Sequence, residues 1–308
     1  MGRRSERLSR GVQCVAEGAG ERDVIQVVAR AFDILRCFDG QEARLGNLEI
    51  ATRCSLPRST VSRLTHTLTR MGQLVYLPQD QKYQLGPGAL AMSTSIARGL
   101  QFRGLVRHRL QQVAERIPGT IGFVVPDRFH MVYLEYARSY HAVGLNSSTG
   151  TRLSIARTAA GHAYVAALDA PAAEALLADL ERELPAEAAH LQPLMAQDRQ
   201  SLREDGYVVT CRLWNPRIHG IAAPLWSAKY RTFLVITIGL LAAMYGEARL
   251  REAAAPELLR LRDELKRILE DTDGALPVSD AVRPLPALAN PAAPLRRSVR
   301  PATPSAAA

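Results

Sequence analysis

The sequence predicts an α+β chain: a small helical unit with a β-hairpin, a linker helix, and a larger domain around a largely antiparallel sheet. Three observations carry this. Apolar residues recur at helical spacing in three short stretches between residues 24 and 71. Two short strand patterns separated by a turn follow directly. From Thr120 the texture becomes strand, then helix, then strand, and closes on one long amphipathic helix. Runs of strands and runs of helices, without strict alternation, favour an antiparallel sheet.

Residues 1–22 are rich in Arg, Gly, Ser and Glu without periodicity and read as a disordered arm. Residues 23–86 form the first folded unit. Val27, Ala31, Ile34, Leu35 and Phe38 mark its first helix, with Gly40 as the stop signal. Leu45, Leu48, Ile50 and Ala51 mark a second helix, broken near Ser55. Pro57 opens the third, where its missing N–H would be unpaired anyway. Val61, Leu64, Leu68 and Met71 give that helix an apolar stripe, and Gly72 ends it. "QLVYLPQDQKYQLG" reads as two strands turning at "PQDQ". Residues 87–103 are expected to form a linker helix and residues 104–271 the second domain. Within it, "TIGFVVPD", "HMVYLEYAR" and "HAVGLNS" read as strands, followed by helices near 158–168, 171–182 and 193–205. "GYVVTCR", "GIAAPLWS" and "TFLVITIGL" return to strand, and "EARLREAAAPELLRLRDELKRILED" is the closing helix. Proline density in residues 272–308 prevents regular helix, so they read as a disordered tail.

The length, 308 residues, allows about two domains, and 47% hydrophobic residues supply ordinary cores that are mainly aliphatic. A net charge of +9 fits a polyanion-binding protein, though basic enzymes share it. The four cysteines, Cys14, Cys37, Cys54 and Cys211, show neither a C-x-x-C pair nor zinc-finger spacing. A disulfide framework is therefore not expected, and a reducing cytoplasm is the simplest setting. No run of eighteen apolar residues predicts a membrane span, and the basic N-terminus lacks the apolar region of a secretory signal, so no membrane partner is expected.

Two helices joined by a tight turn, then a hairpin, is the order of a winged helix-turn-helix. Its second helix enters the major groove with its N-terminal residues toward the base edges. Here that turn offers Arg58, Ser59, Thr60, Ser62 and Arg63: Arg can bond guanine bidentately, and Ser or Thr can serve bases or phosphates. Residues 55–71 contain no acid that would repel a phosphate backbone. Lys82 on the hairpin is a candidate phosphate contact. The alternative is an amphipathic helix that only packs, with Lys82 an ordinary surface lysine.

The stretch from "VVARAFDILRCFDG" through "LPRSTVSRL" to "KYQLGPGAL" resembles the DNA-binding domain of the IclR family of bacterial transcriptional regulators. The similarity continues through "MVYLEYARS", "GTRLSIARTAAGHAYVAAL", "DGYVV" and "NPRIHGIAAPLWS", over about residues 25–271. The resemblance implies a GAF-like effector domain, dimers or tetramers, a double-stranded DNA operator, and small organic acids or aromatic compounds as effectors.

The second domain shows no strong catalytic constellation. Cys211 and His219 lie near each other and could in principle form a thiol–imidazole nucleophile, but a packed strand cysteine is the plainer reading. The histidines lack metal-ligand spacing, and no phosphate loop occurs, so no catalytic residue, metal or cofactor is predicted. A ligand pocket is the better expectation. Thr158 precedes the small residues Ala159, Ala160 and Gly161 at a helix start, which leaves room and exposed N–H groups for a carboxylate. Close helix-to-sheet packing would need the same small residues. Relative to the family pattern, an acidic run is replaced by Thr210, Cys211, Arg212, Leu213 and Trp214, and a cysteine by Gly220. Thr237 and Gly239 stand where small hydroxyl residues often line the pocket, and Arg157 replaces an uncharged residue. A pocket with fewer acids, an added Arg and a Trp would suit an anionic, aromatic ligand; Arg157 and Trp214 could equally face solvent or a partner subunit. The expectation is a ligand-responsive, non-enzymatic DNA-binding regulator, probed against two alternatives: a ligand-independent DNA-binding protein whose second domain only dimerises, or an enzyme with an appended winged helix.

Overall fold

The computed structural model describes residues 25–38, 43–99, 102–140, 147–228 and 232–271. The expected arm and tail, the Gly40 stop and nearly all of the strand expected in "HAVGLNS" lie outside the described residues.

The N-terminal unit comprises α1 (Gln26–Arg36), α2 (Asn47–Cys54), α3 (Arg58–Arg70), β1 (Leu74–Leu77) and β2 (Lys82–Leu85). At the start of α2 the Glu49 carboxylate accepts from the Gly46 N–H at 2.6 Å, which satisfies an otherwise unpaired helix-start donor. The helix ends in a Schellman turn: Ser55 is left-handed (φ 53°) and the Leu56 N–H reaches back to Ala51. The same device closes α3, with Gly72 at φ 72° and the Gln73 N–H bonded to Leu68. β1 and β2 pair antiparallel around the turn at 78–81. Ile34, Leu45, Ile50, Val61, Leu64, Leu68 and Leu74 form the core.

Three sequence expectations shift here. Leu45 is not on the second helix but bridges to Tyr83 as a third edge of the hairpin, still fully buried. Met71 and Leu48, assigned to apolar stripes, are exposed, because Schellman closure turns Met71 away from the core and Leu48 faces out from α2. Pro57 is the cap before α3 rather than its first residue.

Helix α4 (Pro87–Gly99) opens against the end of α3: Gly86 and Gly88 donate to Gln73 and Gly72, and a Cβ on Gly86 would lie 2.4 Å from the Gly72 oxygen. After α5 (Arg103–Arg116) come β3 (Thr120–Asp127), β4 (His130–Arg138), β5 (Arg152–Ser154), α6 (Ala159–Ala167), α7 (Ala170–Glu183), α8 (Pro185–Leu191) and α9 (Met195–Glu204). β6 (Val208–Cys211), β7 (Ile218–Ser227), β8 (Thr232–Leu241), a single turn α10 (Glu247–Arg249) and α11 (Ala255–Asp271) complete the domain. The closing helix, expected as one piece, is broken by a π turn at Leu250–Ala254. Pro256 follows immediately; its ring cannot sit in a regular helical interior without clashing one turn back. Helix α8 was not expected.

The strands form one antiparallel sheet in the order β5-β4-β3-β8-β7-β6. Alternate side chains feed two cores, as strand geometry requires. Ile121, Phe123, Ile221, Ile236 and Ile238 pack with α5 and α11 on one face. Met131, Val208, Ala222, Phe233 and Val235 pack with α6, α7 and α9 on the other. No helix among the described residues is long and apolar enough to cross a membrane.

Leu45→Ala should cost about 2–5 kcal/mol, the range for truncating a buried aliphatic side chain. Urea unfolding of the variant measures it; a loss below about 1 kcal/mol would place Leu45 outside the N-terminal core.

Candidate functional site

Helix α3 buries Val61, Leu64, Thr65 and Leu68 and leaves Arg58, Ser59, Ser62 and Arg63 exposed, with Thr60 half-buried. His66, one turn beyond Ser62 on the same exposed face, was not anticipated; its i+4 spacing was the available signal. Thr65 fixes the joint between the two helices, its hydroxyl lying 2.9 Å from the Val61 carbonyl and 3.1 Å from Asn47 Oδ1. Lys82 is not left free: its ammonium sits 2.9 Å from Glu49 Oε1, and Arg44 pairs with Asp80 beside the hairpin turn. The Gly46 N–H and Lys82 hold the Glu49 carboxyl below its usual pKa.

A cavity of about 50 Å³ lies between the sheet and the start of α6. Its floor is one cross-strand row. Thr120 pairs with Gly239, Gly239 with Gly220, and Gly220 with Thr210, across β3, β8, β7 and β6. The two glycines hollow the floor and the two threonines put hydroxyls at its edges. Thr237 lines it from the next row, and Thr158, Ala159, Tyr133, Ser147, Leu153, Ile218 and Trp214 form the walls. The Tyr133 ring occupies the space over Gly122, where a Cβ would come within 2.0 Å of it. Burial pushes the Tyr133 hydroxyl well above its usual pKa, so it stays neutral. Among the described residues, no Asp, Glu, Lys, Arg or His lines the cavity.

Of the residues expected there, Thr158, Ala159, Thr210, Gly220, Thr237 and Gly239 line the cavity and Trp214 joins them. Arg157 does not: its guanidinium turns to Glu187 on α8 at 2.7 Å. Burial opposes ionisation of Glu187, but hydrogen bonds from Ser154 and Arg157 outweigh it and hold its pKa low. Ala160 and Gly161 are buried in α6, where the closer-packing reading applies: a Cβ on Gly161 would sit 2.0 Å from the Ile155 oxygen. Thr120, Tyr133, Ser147, Leu153 and Ile218 were missed: strand register reveals four of them, and Ser147 lies outside the strands.

The wall is braced from behind. Thr158 caps α6 through Gly161 N and donates to the Ser154 carbonyl at 2.7 Å. Fully buried His162 bonds Asp198 on α9 at 2.7 Å through Nδ1, and its Nε2 lies 2.9 Å from the Ala156 carbonyl.

Cys211 and His219 are cross-strand partners, but His219 alternates with the cavity-facing Gly220 and so points to the opposite sheet face. The Cys211 thiol lies 3.8 Å from Glu247, and burial and that carboxylate raise its pKa; burial lowers that of His219. Two neutral groups in this setting make no activated nucleophile. No group of three metal-ligating side chains occurs among the described residues.

A winged helix-turn-helix followed by a sensor-like α+β domain defines a DNA-binding transcriptional regulator. The IclR helix-turn-helix domain matches residues 27–78, and the bacterial transcriptional regulator IclR C-terminal domain matches residues 95–266. The chain belongs to the IclR family, whose members are regulators and not enzymes. It is 27% identical to the Escherichia coli regulator XynR over 246 residues, 79% of this chain and 94% of XynR. It is also 27% identical to TsaQ1/TsaQ2 of Comamonas testosteroni over 201 residues, 65% of this chain and 72% of the relative. An IclR family regulator from Brucella abortus superposes with a TM-score of 0.70 at 26% identity, covering 83% of this chain and 98% of its own. An IclR homolog from Microbacterium hydrocarbonoxydans, solved with 4-hydroxybenzoate, shares the fold at 20% identity and a TM-score of 0.57, covering 80% of this chain and 100% of its own.

His162→Ala would leave Asp198 buried without its partner and should cost about 3–5 kcal/mol. Thermal and urea unfolding test this; a variant as stable as the parent would remove the pair from the bracing of the cavity wall.

Proposed function

We propose that this regulator responds to a small aromatic carboxylic acid held in the cavity at the start of α6, and that it reads a pseudo-palindromic operator as a homo-oligomer through Arg58–Arg63 of α3. The observation that carries the ligand reading is the cavity itself: walls with no charged side chain among the described residues, four threonines, and the N-terminus of α6. Thr120, Thr158 and Thr237 donate their hydroxyl protons to backbone carbonyls, so a carboxylate there meets the Thr210 hydroxyl and the Ala159 N–H, and no carboxylate of the described residues opposes it. Tyr133, Trp214, Leu153 and Ile218 offer an apolar and aromatic surface to a ring. The cavity's about 50 Å³ restricts it to a small molecule and requires a wall to yield for a ring; Trp214, 40% exposed, is the side chain freest to do so. The 4-hydroxybenzoate bound by the Microbacterium homolog supports the same ligand class.

The acid-free exposed face of α3 supports the operator reading. Exposed Ile25, Val28 and Phe32, spaced along one face of α1, support self-association. Genes of aromatic-acid breakdown are the matching targets.

Isothermal titration with a panel of aromatic and aliphatic carboxylates should find a single-ring aromatic acid that binds. Thr210→Val keeps the side-chain volume, removes a hydroxyl, and should weaken that ligand by about 3–10-fold. Binding of neutral or cationic compounds alone would overturn the acid reading. In a gel shift with the DNA upstream of its own gene, Arg63→Ala should lose about 1–3 kcal/mol of operator affinity and relax specificity at one position. Unchanged affinity and selectivity would remove Arg63 from base reading.

A further inference from the structure

Two thiols in the DNA-reading domain meet across helix ends, and nothing in operator or effector binding uses them. Cys37 follows α1 and Cys54 is the last residue of α2; their Sγ atoms are 3.1 Å apart. Both are free and half-buried against the domain core. Arg53 donates to the Cys37 carbonyl at 3.0 Å, and the Cys37 thiol donates to the Asp33 carbonyl at 3.4 Å, so backbone and side chain hold the pair in register. Among the described residues, no third His, Cys, Asp or Glu completes a metal-ligating group with them. We propose that Cys37 and Cys54 are an oxidisable dithiol, closed to an intradomain disulfide by a low-molecular-weight disulfide, and that closure weakens operator binding.

The exchange balances without a further reactant. Cys37 Sγ attacks one sulfur of the small disulfide; that S–S bond breaks and one small thiol leaves. Cys54 Sγ then attacks the Cys37 sulfur of the mixed disulfide, the second small thiol leaves, and it takes the Cys54 proton. Two cysteine thiols are oxidised and one disulfide is reduced to two thiols. Burial, then the adjoining Cys37, push the Cys54 thiol up to about 12, with Asp33 adding to the shift and Arg53 opposing it. The raised Cys54 thiol is a poor first attacker, and once the Cys37 sulfur is in the mixed disulfide its share of the hold on the Cys54 proton is gone.

The link to DNA rests on the reading of α3 as the operator contact. Only Ser55, Leu56 and Pro57 separate Cys54 from α3. An S–S bond is about 2.05 Å long, so the sulfurs must close by roughly 1 Å. A binding constellation tolerates about 0.5 Å of displacement, and whatever part of this closure the Cys54 backbone takes up enters the chain three residues ahead of α3.

The test incubates the full chain with glutathione disulfide and reads intact mass, peptide maps and operator affinity by fluorescence anisotropy. The wild type should lose two hydrogens, yield a Cys37–Cys54 cross-linked peptide, and bind operator several-fold more weakly, all reversed by dithiothreitol. C54S should trap glutathione on Cys37, and operator binding by C37S should not respond to the reagent. Absence of the cross-link, or links only between chains, overturns the site. A cross-linked protein with the affinity of the reduced one overturns the link to DNA. If the reduced protein binds no operator, the reading of α3 fails, while the mass measurement still decides the dithiol.

Discussion

The close seating of α6 on the sheet is the constraint on which the second domain depends. Every residue of α6 is buried, and Gly161 lies so near Ile155 that any side chain would force the two apart. On the far side, the bond from His162 to Asp198 fixes the helix to α9. Hydrophobic burial alone is non-directional and would accept several placements. The backbone contact at Gly161 and the buried His162–Asp198 hydrogen bond select one, and that placement holds Thr158 and Ala159 over the Gly220–Gly239 floor at the distance that leaves a small void.

That arrangement couples two demands. The helix start must be open for a ligand to meet its N–H groups, and the helix body must be locked so that the opening keeps its shape. Ala159 against Gly220 meets the first: a Cβ on Gly220 would come within 3.1 Å of the alanine methyl. The brace behind meets the second. A regulator needs a further property, unequal affinity of the ligand for two arrangements of the protein. The segment from Ser154 to Thr158 is where such a difference would act, because α8 bonds to it through Ser154 and Arg157, His162 of α6 bonds its Ala156 carbonyl, and Thr158 lines the cavity.

The N-terminal unit was nearly complete in the sequence. Helix period, Gly72 and the "PQDQ" turn are local signals, and local rules govern short helices and hairpins. Leu45 was misassigned because its strand is a single bridge, set by Tyr83 across the hairpin and not by its neighbours in sequence. In the second domain the longer strands were legible from their apolar runs, three-residue β5 was not, and the cavity was only half legible. Thr158 stood out at a helix start followed by small residues, whereas Thr210, Gly220, Thr237 and Gly239 came only from the resemblance to the family. Thr120 and Tyr133 enter through pairings with distant strands, which spacing does not encode. Arg157 misled for a related reason: a charge next to a binding loop was assigned to the ligand, whereas Glu187, thirty residues away in sequence, neutralises it.

The central claim is that one ligand in the α6 cavity and one operator on α3 bias the same equilibrium. Thermodynamic linkage gives the direct measurement: the ligand's affinity with and without saturating operator, and the operator's affinity with and without saturating ligand. The account predicts that both ratios differ from one and are equal. A ligand that binds the cavity with the same affinity whether or not operator is present would contradict it.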